Sequence, residues 1–129
     1  ALPVAPQVQR DDTVGLLEPL VATGLLPRPA AWDVVVDRGR PYALPLTLQM
    51  VERHPLGSQA FYPLSKNPWL VIVAEDEEGQ PIRLRAFLPA RGQGVNIAIN
   101  TWHGVLTPLE AVSDFLVIDR GGTGNNLEE

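Results

Sequence analysis

The chain has 129 residues, of which 45% are hydrophobic and 19% charged, a composition typical of one globular domain rather than of a disordered chain. Its net charge of -5, without any cluster of lysine and arginine, argues against nucleic-acid binding, and no run of about 18 apolar residues predicts a membrane span. There is no cysteine and no signal-peptide pattern, so we expect a cytoplasmic protein without disulfides.

Residues 1–31 give the weakest structural signal. Asp12 and Thr13 precede an apolar stretch and are suitable caps for a short helix, which Pro19 would confine or break. A short strand within residues 14–26 fits the same stretch equally well. Across the whole chain, 13 prolines and 11 glycines divide the sequence into short segments, which excludes a helical bundle.

From residue 31 onward the pattern indicates strands. The β-branched run DVVVD (33–37) ends at a turn containing Gly39 and Pro41. In the next segment, LPLTLQMVERH (44–54), apolar and polar side chains alternate, so Leu46, Leu48 and Met50 are predicted to face the core. The same period of two leads to Glu52 and His54, which would form a ligand or catalytic pair. Alternatively, the strand ends near Met50 and leaves both side chains in solvent.

A strand follows at QAFYPL (59–64), and then a hairpin is predicted. Its first strand is residues 69–74, its acidic loop is residues 75–80, and its return strand is residues 82–88. The return strand places Arg83 and Arg85 on the same side as Phe87. Periodicity alone leaves open whether that side is the inner one.

The segment QGVNIAINTWH (93–103) is the centre of the predicted site. Alternation in its first half indicates a strand with apolar side chains on one face and carboxamides, including Asn96 and Asn100, on the other. It ends in Trp102 and His103, before Gly104 breaks the strand. Carboxamides are costly to bury unpaired, and histidine titrates near neutral pH, so we predict a polar pocket inside an apolar barrel.

Two further extended segments and a polar, glycine-rich tail follow. The second segment, DFLVIDR (114–120), alternates, and the tail (121–129) is predicted to be a loop or crossover along the surface. In total, seven or eight short strands between residues 33 and 119 predict an all-β sandwich or small antiparallel barrel, whose lumen is the usual place for a ligand.

Several segments match, in order, those of one enzyme family. They are ERHPLGSQAFYPL (52–64), WLVIVA (69–74), LRAF (84–87), GQGVN (92–96), TWH (101–103), DFLVIDRGG (114–122) and NLEE (126–129). In these segments the chain resembles the ureidoglycolate lyase family, formerly called ureidoglycolate hydrolase. The resemblance covers residues 32–129, which we predict to be one domain preceded by an N-terminal extension, residues 1–31.

The resemblance implies a cupin-like antiparallel β-barrel of the jelly-roll type, a homodimer, and a carbon–nitrogen lyase of allantoin and purine catabolism. Its reaction would split (S)-ureidoglycolate into glyoxylate and urea. Similarity to metal-binding cupins implies a divalent metal such as nickel, with no organic cofactor. The ligands implied are Glu52, His54, Gln59 and His103. The family often has a second histidine where this chain has Gly104.

The implied chemistry assigns a role to each candidate side chain. His103 would take the hydroxyl proton of the substrate, with His54 or Glu52 as partner. Donors to the carboxylate and ureido oxygens would be Gln93, Asn96, Asn100 and Arg85, with Trp102 beside them.

Other interpretations remain for these residues. His103 would equally suit a buried histidine bonded to a backbone carbonyl, the asparagines a strand edge or bulge, and Arg85 an outer ion pair. Asp114, Asp119 and Arg120 would fit a buried ion pair that braces the last strand. As alternatives to the lyase, the sequence fits a non-catalytic cupin that binds a small oxo- or hydroxy-acid, or a lyase acting on a related small acid.

Overall fold

The computed structural model describes residues 9–10 and 31–129, and these contain nine strands and no helix. The helix or strand predicted within residues 12–26 lies outside the described residues. The strands are β1 (Gln9–Arg10), β2 (Ala31–Gly39), β3 (Gln59–Pro63), β4 (Trp69–Glu77), β5 (Gln80–Phe87), β6 (Val95–Ile97), β7 (Trp102–His103), β8 (Thr107–Pro108) and β9 (Ser113–Gly121).

The strands form two antiparallel sheets. The first has the order β1-β6-β3-β9-β2, and the second has the order β5-β4-β7, with β8 also paired to β4. Neighbours in space are therefore often distant in sequence, as in a jelly roll. The predicted all-β fold is confirmed.

One hydrophobic core lies between the inner faces of the two sheets. It consists of the alternate residues Trp69, Val71, Val73, Phe87, Val95, Ile97, Phe115 and Val117. Trp69 and Phe115 meet edge to face, with ring centroids 4.9 Å apart. Burying side chains of this size contributes roughly 1.5–3 kcal/mol each, so the alternation seen in the sequence is the main determinant of the fold.

The β4–β5 hairpin is confirmed, with a shorter loop than predicted. Glu78 and Gly79 have φ of 51° and 81°, which is the left-handed pair of a two-residue hairpin turn. The strands therefore continue through most of residues 75–80, which were predicted to form the acidic loop. Glu75 bonds to Arg83, and Asp76 to Trp102 and Arg53.

The strand predicted before Glu52 is wrong, because residues 44–51 form no strand and pair with no other strand among the residues that the structure describes. Pro45 has no N–H to donate to a ladder. The predicted alternation nevertheless holds: Leu46, Leu48 and Met50 are half-buried, and Thr47 and Gln49 are exposed. The chain rejoins its neighbours through isolated bridges, from Glu52 to His103 and from Arg53 to Glu128.

The central segment contains two short strands rather than one. β6 ends at Ile97, and the chain turns at Asn100, whose φ is 61°, before β7 begins at Trp102. Asparagine tolerates this left-handed conformation better than most residues, so the interruption comes earlier than the predicted break at Gly104. In the part of the chain that the structure covers, no helix is long and apolar enough to cross a membrane.

Candidate metal and active site

Three side chains meet at one end of the barrel: Glu52, His54 and His103. Their potential ligand atoms all lie within 4.8 Å of one another. The backbone sets this arrangement, because Glu52 and His103 each donate their N–H to the other's carbonyl, both at 2.8 Å. The sequence prediction that Glu52 and His54 face inward is confirmed, and the alternative that both lie in solvent is wrong.

Both imidazoles are held in the same tautomer. The Nδ1 of His54 lies 2.8 Å from the carbonyl oxygen of Asn126, and the Nδ1 of His103 lies 3.0 Å from that of Gly104. A carbonyl only accepts hydrogen bonds, so each Nδ1 carries a proton, and in a neutral ring the free lone pair is then on Nε2. Both Nε2 atoms are buried and have no hydrogen-bond partner, and the ring centroids are 5.2 Å apart.

Burial controls the protonation of the site. It lowers the pKa of His103 to about 4, against a smaller raising effect of the Gly104 carbonyl, and nearby His54 lowers it further. Burial raises the pKa of Glu52, an effect that His54 opposes and that Glu129 and Asp119 reinforce. At neutral pH, His103 is therefore an uncharged lone-pair donor. Glu52 is a carboxylate held more basic than usual.

Gln59 and Asp119 lie beside this cluster. The Gln59 side chain bonds to the Asp119 carboxylate, and its own Oε1 is buried without a partner. Burial raises the pKa of Asp119, against the lowering effects of Gln59 and His54. Asp119 was not among the predicted site residues. Extending the inward series of β9 from Phe115 and Val117 by one step would have found it.

The predicted brace formed by Asp114, Asp119 and Arg120 is wrong. Asp114 instead binds Arg38 at the exposed surface, at 2.8 Å, and Arg120 donates to the Thr123 carbonyl at 3.0 Å. Asp114 and Arg120 are six positions apart and share one face of β9, whereas Asp119 lies on the other face.

A small cavity of about 20 Å³, enough for about one water molecule, lies beside His103 between the two sheets. Its walls are mostly apolar, from residues that include Phe61, Ile97 and Leu106, and Trp69 also lines it. The indole N–H of Trp69 is buried without a partner. This cavity is therefore less polar than the pocket that the sequence suggested, with His103 and Trp69 as its polar side chains.

The predicted carboxamides lie away from the three-residue cluster. Asn96 pairs with Ala60 across β3 and shares its face, which is opposite to the core face of Val95 and Ile97. Asn100 is exposed, and its backbone N–H donates to the His54 carbonyl at 2.8 Å. Gln93 closes a turn by accepting the Ala90 N–H at 2.8 Å.

Arg85 and Trp102 lie on opposite faces of the second sheet. Arg85 is opposite the core residue Val73 and shares its inner face, but its guanidinium pairs with Glu75 at 3.4 Å. Trp102 is buried on the other face, and its indole N–H donates to Asp76 at 2.9 Å.

Arg53, between Glu52 and His54, was missing from the sequence analysis. Its buried guanidinium donates to Glu128 and to Asp76, each at 2.8 Å, and lies 4.3 Å from the centroid of the Trp102 ring. Successive residues of an extended chain point to opposite faces, so this network forms the reverse side of the site.

Comparison with solved structures gives the class of fold. RmlC from Streptococcus suis, in complex with dTDP-D-xylose, matches 85% of this chain and 51% of its own, with a TM-score of 0.54 and 10% identity. A dTDP sugar isomerase from Desulfovibrio desulfuricans matches 98% of this chain and 76% of its own, with a TM-score of 0.55 and 15% identity. The fold is thus a cupin-type jelly-roll barrel.

The sequence gives the family within that class. The family model described as ureidoglycolate lyase matches residues 17–129, so the chain belongs to the ureidoglycolate lyase family. A ureidoglycolate lyase of a Chelativorans species is 67% identical over 96 residues, which are 74% of this chain and 58% of the relative. Ureidoglycolate lyase 2 of Rhizobium meliloti is 66% identical over 92 residues, 71% of this chain and 56% of the relative. The chain therefore spans somewhat more than half the length of these relatives.

Proposed function

We propose that this protein is a ureidoglycolate lyase that splits (S)-ureidoglycolate into glyoxylate and urea in allantoin catabolism. The observation that carries the proposal is the meeting of Glu52, His54 and His103 within 4.8 Å at the end of a cupin barrel. Membership of the family supports the choice of substrate. The reaction requires removal of a hydroxyl proton, cleavage of the carbon–nitrogen bond and protonation of the departing urea nitrogen.

The same three residues fit a divalent transition metal. Two imidazoles and one carboxylate are a common donor set for such ions, and both Nε2 lone pairs are buried without another partner. A bound metal would polarise the substrate hydroxyl or carboxylate and make the hydroxyl more acidic. We propose nickel or a similar ion, and Gln59 stays a predicted fourth ligand.

The pKa shifts of the site residues suggest a different role for each of them. With a pKa of about 4, His103 is a poor base at neutral pH and is better suited to hold the metal through Nε2. Glu52, whose pKa burial raises, is the better acceptor for the hydroxyl proton. We assign donation to the urea nitrogen to the Asp119 carboxyl, whose pKa is also raised.

Of the predicted substrate contacts, we retain Arg85 for the carboxylate, because its side chain starts from the inner face of β5. The exposed Asn100 acts in this proposal through its backbone hydrogen bond to His54. Gln93, Asn96 and Trp102 bond or face elsewhere.

The test is a coupled assay for urea and glyoxylate released from racemic ureidoglycolate. It is run on the protein as purified, after chelation, and after addition of nickel or manganese. We expect equal release of both products, abolished in Glu52→Gln and unchanged in the exposed control Glu77→Gln. Folded protein that releases neither product in any condition would refute the lyase and leave a small-acid-binding cupin.

We also propose that the protein is a homodimer, while a cytoplasmic location stays a prediction. Within the described residues β2 pairs only with β9, and Val34, Val35 and Val36 on it are 56%, 46% and 61% exposed. Antiparallel pairing of β2 with its copy, with Val35 opposite Val36, would place Asp33 opposite Arg38. Light scattering should show a dimer that Val35→Lys converts to a monomer and that Val112→Lys, at another exposed valine, preserves.

A further inference from the structure

The tail does not simply run along the surface, as the sequence suggested. Arg53 and Glu128 exchange backbone hydrogen bonds, with N–O distances of 2.8 and 3.0 Å. The Asn126 side chain accepts the Leu56 N–H at 2.7 Å, and the Asn126 carbonyl accepts the Nδ1–H of His54 at 2.8 Å. Asn126 and Glu128 are therefore bonded to the segment that presents Glu52 and His54.

The Arg53 side chain anchors this tail to the second sheet. Its guanidinium bridges Glu128 of the tail and Asp76 of β4, and it lies against the Trp102 ring of β7. Asp76 in turn accepts the indole N–H of Trp102. One network thus joins the tail to both segments that deliver the histidines.

The two histidines differ in what holds them. His103 bonds through Nδ1 to the carbonyl of its own neighbour, Gly104, so this hydrogen bond does not involve the tail. His54 bonds through Nδ1 to Asn126, 72 residues away. Moving the tail should therefore release the ring of His54 and leave that of His103 unchanged.

We propose that Arg53, Asn126 and Glu128 form a clasp, a set of positioning residues that fixes the His54 ring with its Nε2 lone pair toward the site. Without the Asn126 carbonyl, the neutral ring is free to rotate and to carry its proton on Nε2, where it can no longer bind a metal. Losing such an outer partner lowers metal affinity by roughly 10- to 100-fold. The inference rests on the proposed metal site, although the tautomer it describes exists without a metal.

The experiment uses the fact that the chain has only two histidines. Long-range ¹H–¹⁵N spectra of metal-free protein, recorded near pH 8 where an ordinary histidine is neutral, read the tautomer of each ring. We expect both rings to carry the proton on Nδ1. In a variant that ends at Gly124, the His54 signals should shift toward a mixture of tautomers while those of His103 stay in place.

Titration with nickel chloride alone gives the second measurement. The variant ending at Gly124 should bind nickel roughly 10- to 100-fold more weakly, Glu128→Ala should change in the same direction by less, and Asp114→Asn should match the native protein. Glu128→Ala keeps the proposal testable if the shortened chain does not fold.

The clasp would be overturned if the folded shortened variant kept the His54 tautomer and bound nickel within about twofold of the native affinity. Loss of an outer hydrogen-bond partner should weaken metal binding by more than that. Neither measurement requires turnover. If the lyase assay fails and the tautomers change as expected, the clasp stands and only the assigned reaction is lost.

Discussion

The low pKa of His103 predicts a loss of stability in mild acid. The change is to lower the pH of the metal-free protein from about 7 to about 4, spanning the ordinary histidine pKa of about 6.5. In the unfolded chain His103 becomes protonated below about 6.5, whereas in the folded protein it does so only below about 4. Between these values the unfolded state binds more protons, so the free energy of unfolding falls as the pH falls.

The size of the effect follows from the difference between the two pKa values. About 2.5 pKa units at 1.36 kcal/mol each give roughly 3 kcal/mol, a large part of the stability of a small domain. His103 is only 2% exposed, so solvent does little to screen this contribution. Glu52 and Asp119 have the opposite effect on stability. Because their pKa values are raised, the folded state binds more protons than the unfolded state above the ordinary carboxyl pKa, and their contribution to the free energy of unfolding rises as the pH falls.

A matched variant separates His103 from the carboxylates. In His103→Asn the amide can still donate to the Gly104 carbonyl, but it does not titrate. Guanidinium unfolding curves for both proteins, followed by tryptophan fluorescence with a chelator present, give the free energy of unfolding at each pH. We expect the difference, native minus variant, to fall by about 3 kcal/mol between pH 6.5 and 4. A difference that stays constant over this range would refute the buried, neutral assignment of His103.

Three stability predictions concern the fold, each checked by chemical unfolding. Phe115→Ala, in the centre of the core, should lower the free energy of unfolding by about 3–5 kcal/mol. The control Val34→Ala, on the exposed edge strand, should change it by less than about 0.5 kcal/mol. Similar losses in the two variants would contradict the assignment of Phe115 to the core. Gly57→Ala places a Cβ 2.6 Å from that of Arg120 and should destabilise by about 1–3 kcal/mol, so a neutral result would mean that the two segments separate easily. At Asn100, with φ of 61°, alanine should destabilise by about 1 kcal/mol and glycine should not; equal effects would exclude backbone strain as the cause.

Much of the fold and the centre of the site could be predicted from local patterns. Period-two alternation identifies the core strands because each inward position must be apolar, and its extension beyond Met50 correctly brought Glu52 and His54 toward His103. The same rule, applied to β9, would have added Asp119. These successes share one physical basis, since an extended chain sends alternate side chains to opposite faces.

The alternation of apolar and polar residues does not identify the inner face of a strand. It also does not predict hydrogen bonds to residues far away in the sequence. Asn96 alternates with core residues, so it lies on the opposite face, and the carboxamides expected in the lumen are elsewhere. Trp102 and Arg53 face away from the histidines for the same reason. The bond from His54 to Asn126 joins residues 72 positions apart, and no local pattern encodes it.

The distance between these partners also constrains the order of events during synthesis. Glu52 and His54 leave the ribosome before His103, and Asn126 and Glu128 follow after it, so these pairings of high contact order form late. A nascent chain that has reached only residue 100 carries one histidine of the pair. The complete donor set therefore exists only after the chain has passed residue 103.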